Sequence, residues 1–153
     1  MPAPHFRDAT AEDLALTYEI TKDAMRVYVE ATWGAWDESE QSAKHRENFK
    51  PATHKIILME DKIAGFLATE DLPGYVWLVK VYLFAAYRGR GIGSQVLAGV
   101  IAQANSSGKP VHLRVLRVNT RARALYERHG FQVIEQTPER FFMERAPSER
   151  PGG

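Results

Sequence analysis

"AAYRGRGIGSQVL", residues 85–97, joins two stretches of opposite habit. Before it runs "YVWLVKVYLF", a strand-like apolar segment; after it, apolar spacing predicts a helix from about Ile92 to Ser106. Glycine weakens strand and helix alike, so Gly89, Gly91 and Gly93, alternating at the junction, need a reason. The first turn of a helix exposes unpaired N–H groups and a partial positive charge. Glycines let an anion approach those donors without a Cβ in the way, and Arg88 and Arg90 can add charge-assisted hydrogen bonds. The junction reads as a phosphate or pyrophosphate cradle. A P-loop would end in Gly-Lys-Ser/Thr, and a dinucleotide fingerprint would need G-x-G-x-x-G with an acidic residue about twenty positions on. Neither pattern is present.

Elements alternate outward from the junction. "HFRDA" is a short strand, and Thr10 with Asp13 opens a helix running to about Glu30, with Leu14, Tyr18, Met25 and Tyr28 as its core contacts. Ser39 caps a second helix through about Phe49, stopped by Pro51. "HKIILME" and "IAGFLATE" are strands joined by a turn at Asp61-Lys62. Beyond the glycine-opened helix come a strand "VHLRVLRV", a helix "TRARALYERH" closed by Gly130, and two strands, "FQVIEQ" and "RFFMER". This is an α/β domain around a mixed sheet.

Composition narrows the class. The 153 residues fit one domain, expected over 1–146, with a polar Pro/Gly tail over 147–153 expected to be disordered. A net charge of +1 creates no global field toward nucleic acid or membrane. With no cysteine, disulfides, thiolate metal sites and a cysteine nucleophile are excluded. The five histidines lack H-x-H or H-x-x-x-H spacing, so no metal site is expected. "MPAPHFRDAT" has no apolar leader core, and no run reaches membrane-spanning length; a cytoplasmic location is expected.

"RGRGIG", residues 88–93, resembles the R/Q-x-x-G-x-G/A signature of the Gcn5-related N-acetyltransferases (GNAT). "VYLFAAY" resembles that family's fourth strand, "VNTRARALYERHGF" (118–131) its second signature, and "FRDATAEDL" its opening, so the likeness covers about residues 6–145. It implies a mixed, mostly antiparallel central sheet with helices on both faces. It implies acetyl-coenzyme A as co-substrate, with no metal. Leu83, Phe84 and Ala85 would lie along the pantetheine arm. Arg88, Gly89, Arg90, Gly91, Ile92, Gly93 and Ser94 would hold the pyrophosphate. Asn119, Ala122 and Tyr126 would line the reacting end, and Tyr126 would act as general acid to the leaving thiolate. A thiolate is only somewhat less basic than a phenolate, so this transfer is slightly uphill and a hydrogen bond to the developing charge is the other form the role can take.

Many family members carry a glutamate or histidine base on the fourth strand, on the face of the Leu83 position. Here that face shows Val81, Val79 and Trp77, which cannot take a proton. A water chain to Glu70, Glu30 or Asp37, or an acceptor that arrives neutral, stays open. The acceptor is expected over "YVEATWGAWDE", where Tyr28, Trp33 and Trp36 stand beside Glu30, Asp37 and Glu38, a composition suited to an amine. A structural staple or dimer contact is the other reading of these aromatics, and a homodimer is allowed. His129 ends a helix, where positive charge is favourable, and Arg121 or Arg123 could meet the 3′-phosphate of coenzyme A. Two further readings remain: an acyl-coenzyme A sensor without turnover, and a nucleic-acid-binding module using the arginines of 114–128. The expected function is transfer of an acetyl group to a primary amine of a small molecule, a protein N-terminus or a lysine.

Overall fold

A computed structural model describes residues 2–148. The end of the expected tail, beyond Ser148, lies outside the described residues. Seven strands form a sheet in the order β1-β2-β3-β4-β5-β7-β6. They are β1 (His5–Asp8), β2 (His54–Met59), β3 (Lys62–Asp71), β4 (Val76–Leu83), β5 (Val111–Leu116), β6 (Gln132–Gln136) and β7 (Arg140–Arg145). The helices are α1 (Leu14–Trp33), α2 (Glu38–Asn48), α3 (Ile92–Ser106) and α4 (Thr120–Arg128). The pairs β1–β2, β2–β3, β5–β7 and β6–β7 are antiparallel, and β4–β5 is parallel. This is the mixed, mostly antiparallel architecture expected.

The described residues form two compact units: 2–68 with Lys80–Gly93, and Thr69–Val79 with 94–148. In the first, Ile20, Ile56, Phe66 and Ala9 form a core, with Phe49, Tyr82 and Phe84 packed against it. The fully buried residues of α1 are Thr17 and Ile20. The expected contacts Leu14, Tyr18, Met25 and Tyr28 are only half-buried, so the buried stripe lies to one side of the predicted one. A single 3-10 turn, Ala11–Asp13, precedes α1, and α1 continues to Trp33 rather than ending near Glu30. Asp13 is nearly buried and receives the Thr10 N–H at 2.8 Å. Arg7 grips the same carboxylate with both terminal nitrogens, at 2.9 and 3.0 Å, and holds it below the usual carboxylate range.

Two local expectations fail. The cap of α2 is Asp37, whose Oδ1 accepts the Glu40 N–H at 2.9 Å, not Ser39. The turn between β2 and β3 is Glu60-Asp61, with Glu60 in the left-handed region at φ 58°, and Lys62 already belongs to the strand. Gly65 sets the close approach of β3 and β4. A Cβ there would lie 2.0 Å from the Tyr82 carbonyl oxygen and 2.9 Å from Leu83 Cα.

In the second unit α3 turns Val96, Leu97, Val100, Ile101 and Ala104 inward, spacings that keep one helical face buried. Strand β5 alternates Val111, Leu113 and Val115 inward, and β7 does the same with Phe141 and Met143. The β4–β5 ladder has two residue pairs, Val76 with Val111 and Trp77 with His112.

Candidate carrier and transfer site

The junction between β4 and α3 lies in the first unit up to Gly93. A 3-10 turn, Ala85–Tyr87, leads out of β4, and α3 begins at Ile92, which is buried. Gly89 and Gly91 sit at φ 76° and 81°, a region that side chains disfavour. A Cβ at either would meet no atom within 4 Å. Both glycines therefore serve the backbone path, and the space beside them is clear of protein. The N–H groups of the first turn of α3 have no intrahelical acceptor. Together these features fit a diphosphate.

Arg88 does not reach into that space. Its Nη1 donates to the Leu83 carbonyl at 2.8 Å and lies 3.4 Å from Asp23 Oδ2. Asp23 also accepts the Ala85 N–H at 2.8 Å. Thus the Leu83 oxygen and the Ala85 N–H, expected along the pantetheine arm, both have protein partners, and Arg88 closes the turn rather than pointing outward. Phe84 gives its N–H to the Ala64 carbonyl at 2.8 Å and packs against the core. Arg90 lies 5.7 Å over the Tyr87 ring and is exposed. Asp23 carried no signal in the sequence, because its partners are more than sixty residues away.

The α1–α2 wall belongs to the same unit. Trp36 Nε1 donates to Tyr18 Oη at 3.1 Å, and that hydroxyl donates to Glu38 at 2.9 Å. Lys22 pairs with Glu38 and holds its carboxyl down, while burial pushes the Tyr18 phenol up. Glu30 is bridged by Arg26 at 3.3 Å, and Asp37 is spent on its cap. The three carboxylates expected to attract an amine are therefore already engaged. Trp36 acts as a strut that ties the connecting loop to α1, Tyr28 is half-buried, and Trp33 is 53% exposed. Rings continue inward from this wall: Tyr18 to His45, Phe49, His54, Phe66 and Tyr82, with successive centroids 4.8–5.9 Å apart. Burial, with Lys80 and His54 nearby, lowers His45 to about 4.

The second unit holds Asn119, Ala122 and Tyr126. Asn119 is nearly buried and caps α4, its Oδ1 accepting the Ala122 N–H at 3.1 Å. This leaves its side-chain N–H groups for a ligand. Tyr126 is half-buried, with its ring 5.7 Å from that of Phe131. Arg123 lies 4.3 Å over Phe141 and 3.5 Å from Glu127, so the structure turns it toward protein rather than a phosphate; Arg121 is exposed. Arg117 covers the same Phe141 ring at 5.0 Å. His129, expected to favour its charged form, is instead lowered by burial and by Arg128 and Arg145. Its Nε2 lies 2.6 Å from Ser94 Oγ.

The acetyltransferase (GNAT) family matches residues 15–131. Among solved structures, PaiA N-acetyltransferase from Thermoplasma acidophilum, in complex with coenzyme A, shares 18% identity at a TM-score of 0.76, covering 94% of this chain and 99% of that one. The ribosomal-protein-S18-alanine N-acetyltransferase from Escherichia coli shares 20% at 0.67, covering 96% of each. Ard1 from Thermoplasma volcanium shares 17% at 0.67, covering 96% of this chain and 99% of that one. No curated protein matches the chain in sequence. The family match spans most of the chain, the fold is that of these N-acetyltransferases, and the chain belongs to the acetyltransferase (GNAT) family, as an acyltransferase.

Proposed function

We propose that the chain transfers an acetyl group from acetyl-coenzyme A to a primary amine by direct attack. The observation that carries this is the start of α3, where left-handed Gly89 and Gly91 open onto protein-free space beside a helix end whose first N–H groups have no intrahelical acceptor. Acetyl-coenzyme A, when bound, supplies the activated acyl group and a thiol leaving group. The loop through Ser94 binds the diphosphate. The side-chain N–H groups of Asn119, oriented by the cap that Oδ1 makes, donate to the carrier. Tyr126 Oη gives a hydrogen bond or its proton to the departing sulfur. Tyr28, Trp33 and Trp36 form the acceptor wall, with Trp33, the exposed ring, making the direct contact.

The amine must lose a proton, and Val81, Val79 and Trp77 offer no acceptor for it. This apolar face favours one other reading, a sensor that binds the carrier without turnover. An assay of free thiol release from acetyl-coenzyme A against a panel of amines separates the two. Release with any amine supports transfer. Tight carrier binding with no release across polyamines, amino acids, and peptide N-termini and lysines would leave the sensor.

A further inference from the structure

His129 and Ser94 are 35 positions apart, yet their side chains meet at 2.6 Å, partly shielded from solvent. Ser94 is the third residue of α3. Side chains on a helix lean toward its N-terminus, so this hydroxyl belongs to the same mouth as the first-turn N–H groups. A serine hydroxyl has one proton and two lone pairs. If Nε2 of His129 donates, Ser94 keeps its proton for a further acceptor. If Nε2 is bare, the serine proton is spent on the ring. An anion in front of α3 selects the first arrangement, a relay of donors from His129 through Ser94 to the ligand oxygen.

We propose that Ser94 Oγ–H donates to the carrier's diphosphate, and that His129 is its positioning residue, donating from Nε2 and taking up a proton as the anion binds. The inference rests on the acetyl-coenzyme A reading above. The charges around His129 are consistent with it. Arg128 on α4 and Arg145 on β7 oppose a third positive charge in the free protein, and with burial they keep the ring neutral. Arg145 is fixed there by its Nε, which donates to the His129 carbonyl at 2.9 Å. Of the neighbouring carboxylates, Glu127 faces Arg123 and Glu144 faces His112. No acid is committed to His129 among the described residues, so the ligand's own charge is the counterion. The sign follows by linkage. A site whose proton is held more tightly in the complex binds its ligand best at low pH. Affinity then declines as pH rises from the free to the bound titration midpoint, and levels above it.

The test uses the full chain and 3′-dephospho-coenzyme A, which lacks the phosphomonoester that itself titrates near about pH 6. The His129 ring is followed by NMR from pH 5 to 8, with and without saturating ligand. Its midpoint should start below 6.5 and rise by about one pH unit or more with ligand. Calorimetry in two buffers of different ionisation enthalpy should show proton uptake. The ligand Kd of the native protein should weaken as pH rises, by about tenfold in all for each pH unit by which the midpoint moves. His129→Gln should flatten this dependence, and Ser94→Ala should weaken binding and remove the midpoint shift. A midpoint unmoved by bound ligand overturns the inference and leaves the carrier reading standing. Failure of the ligand to bind at any pH, with coenzyme A failing too, overturns both. The NMR titration of the native protein decides even where a variant does not fold.

Discussion

Tyr126→Phe keeps the ring that packs on Phe131 and removes only the hydroxyl. On the proposed role, kcat falls by about a hundredfold or more while the carrier Kd stays within about twofold. Steady-state kinetics with calorimetry checks this, and an unchanged kcat would take Tyr126 out of the chemistry. Gly65 is a different kind of single atom. Its missing Cβ is what allows the Tyr82 carbonyl to sit where it does. Gly65→Ala should cost about 3 kcal/mol or more, because both obstructing atoms are backbone and cannot swing aside. Urea unfolding reads it, and a cost under 1 kcal/mol would mean the two strands part easily. Asp23, the partner of Ala85 and Arg88, shows why single residues were the hardest part of the site to read from sequence. A lone carboxylate within α1 carries no mark of what it will touch across sixty positions.

Elements were easier. The bounds of α3 follow from an apolar stripe at Ile92, Val96, Leu97, Val100, Ile101 and Ala104, opened by glycine and closed by "SSGKP". Strands β5 and β7 follow from their alternation, which β5 keeps through Val115 before Leu116 is buried beside it. The start of α2 differs from the expected one because Asp37 and Ser39 both make good caps. The choice falls to Trp36, pinned by Tyr18 eighteen residues away. At the mouth of α3, Gly91→Val places a branched side chain at φ 81° and in the open space before the helix. Carrier binding should weaken by more than about tenfold with circular dichroism unchanged; native-like affinity by calorimetry would refute the cradle. The two tryptophans of the α1–α2 wall should separate. Trp33→Ala, at an exposed ring, raises the acceptor KM with little change in stability. Trp36→Ala removes the strut and costs about 1–2 kcal/mol. Equal effects on KM and on unfolding would merge their roles.

At the scale of the whole molecule, His45 makes folding sensitive to acid. Its hydroxyl partner Thr17 donates to the Asp13 carbonyl at 2.8 Å, so His45 Nε2 is the donor of the 2.7 Å contact and Nδ1 is left bare inside the core. The ring ionises at about 4 in the fold against 6.5 when exposed, so the unfolded chain binds the proton first. Stability is therefore complete above about pH 6.5 and declines as pH falls, by about 3 kcal/mol on reaching pH 4. Urea midpoints measured from pH 7 to 4 should show this slope, and His45→Leu should flatten it. A native slope no steeper than the variant's would place the acid sensitivity elsewhere.

The last two strands pair with a slip: Val133 faces Met143 and Glu135 faces Phe142, so Ile134 is one residue too many. Every residue of β6 is exposed, and it is one of the two edge strands of the sheet. A straight border of that kind would be a template for stray chains to add to, layer on layer. The extra isoleucine bends the border and interrupts the run of free N–H and C=O groups that such growth requires. One surplus apolar residue thus guards this margin of the molecule against fibrous self-association.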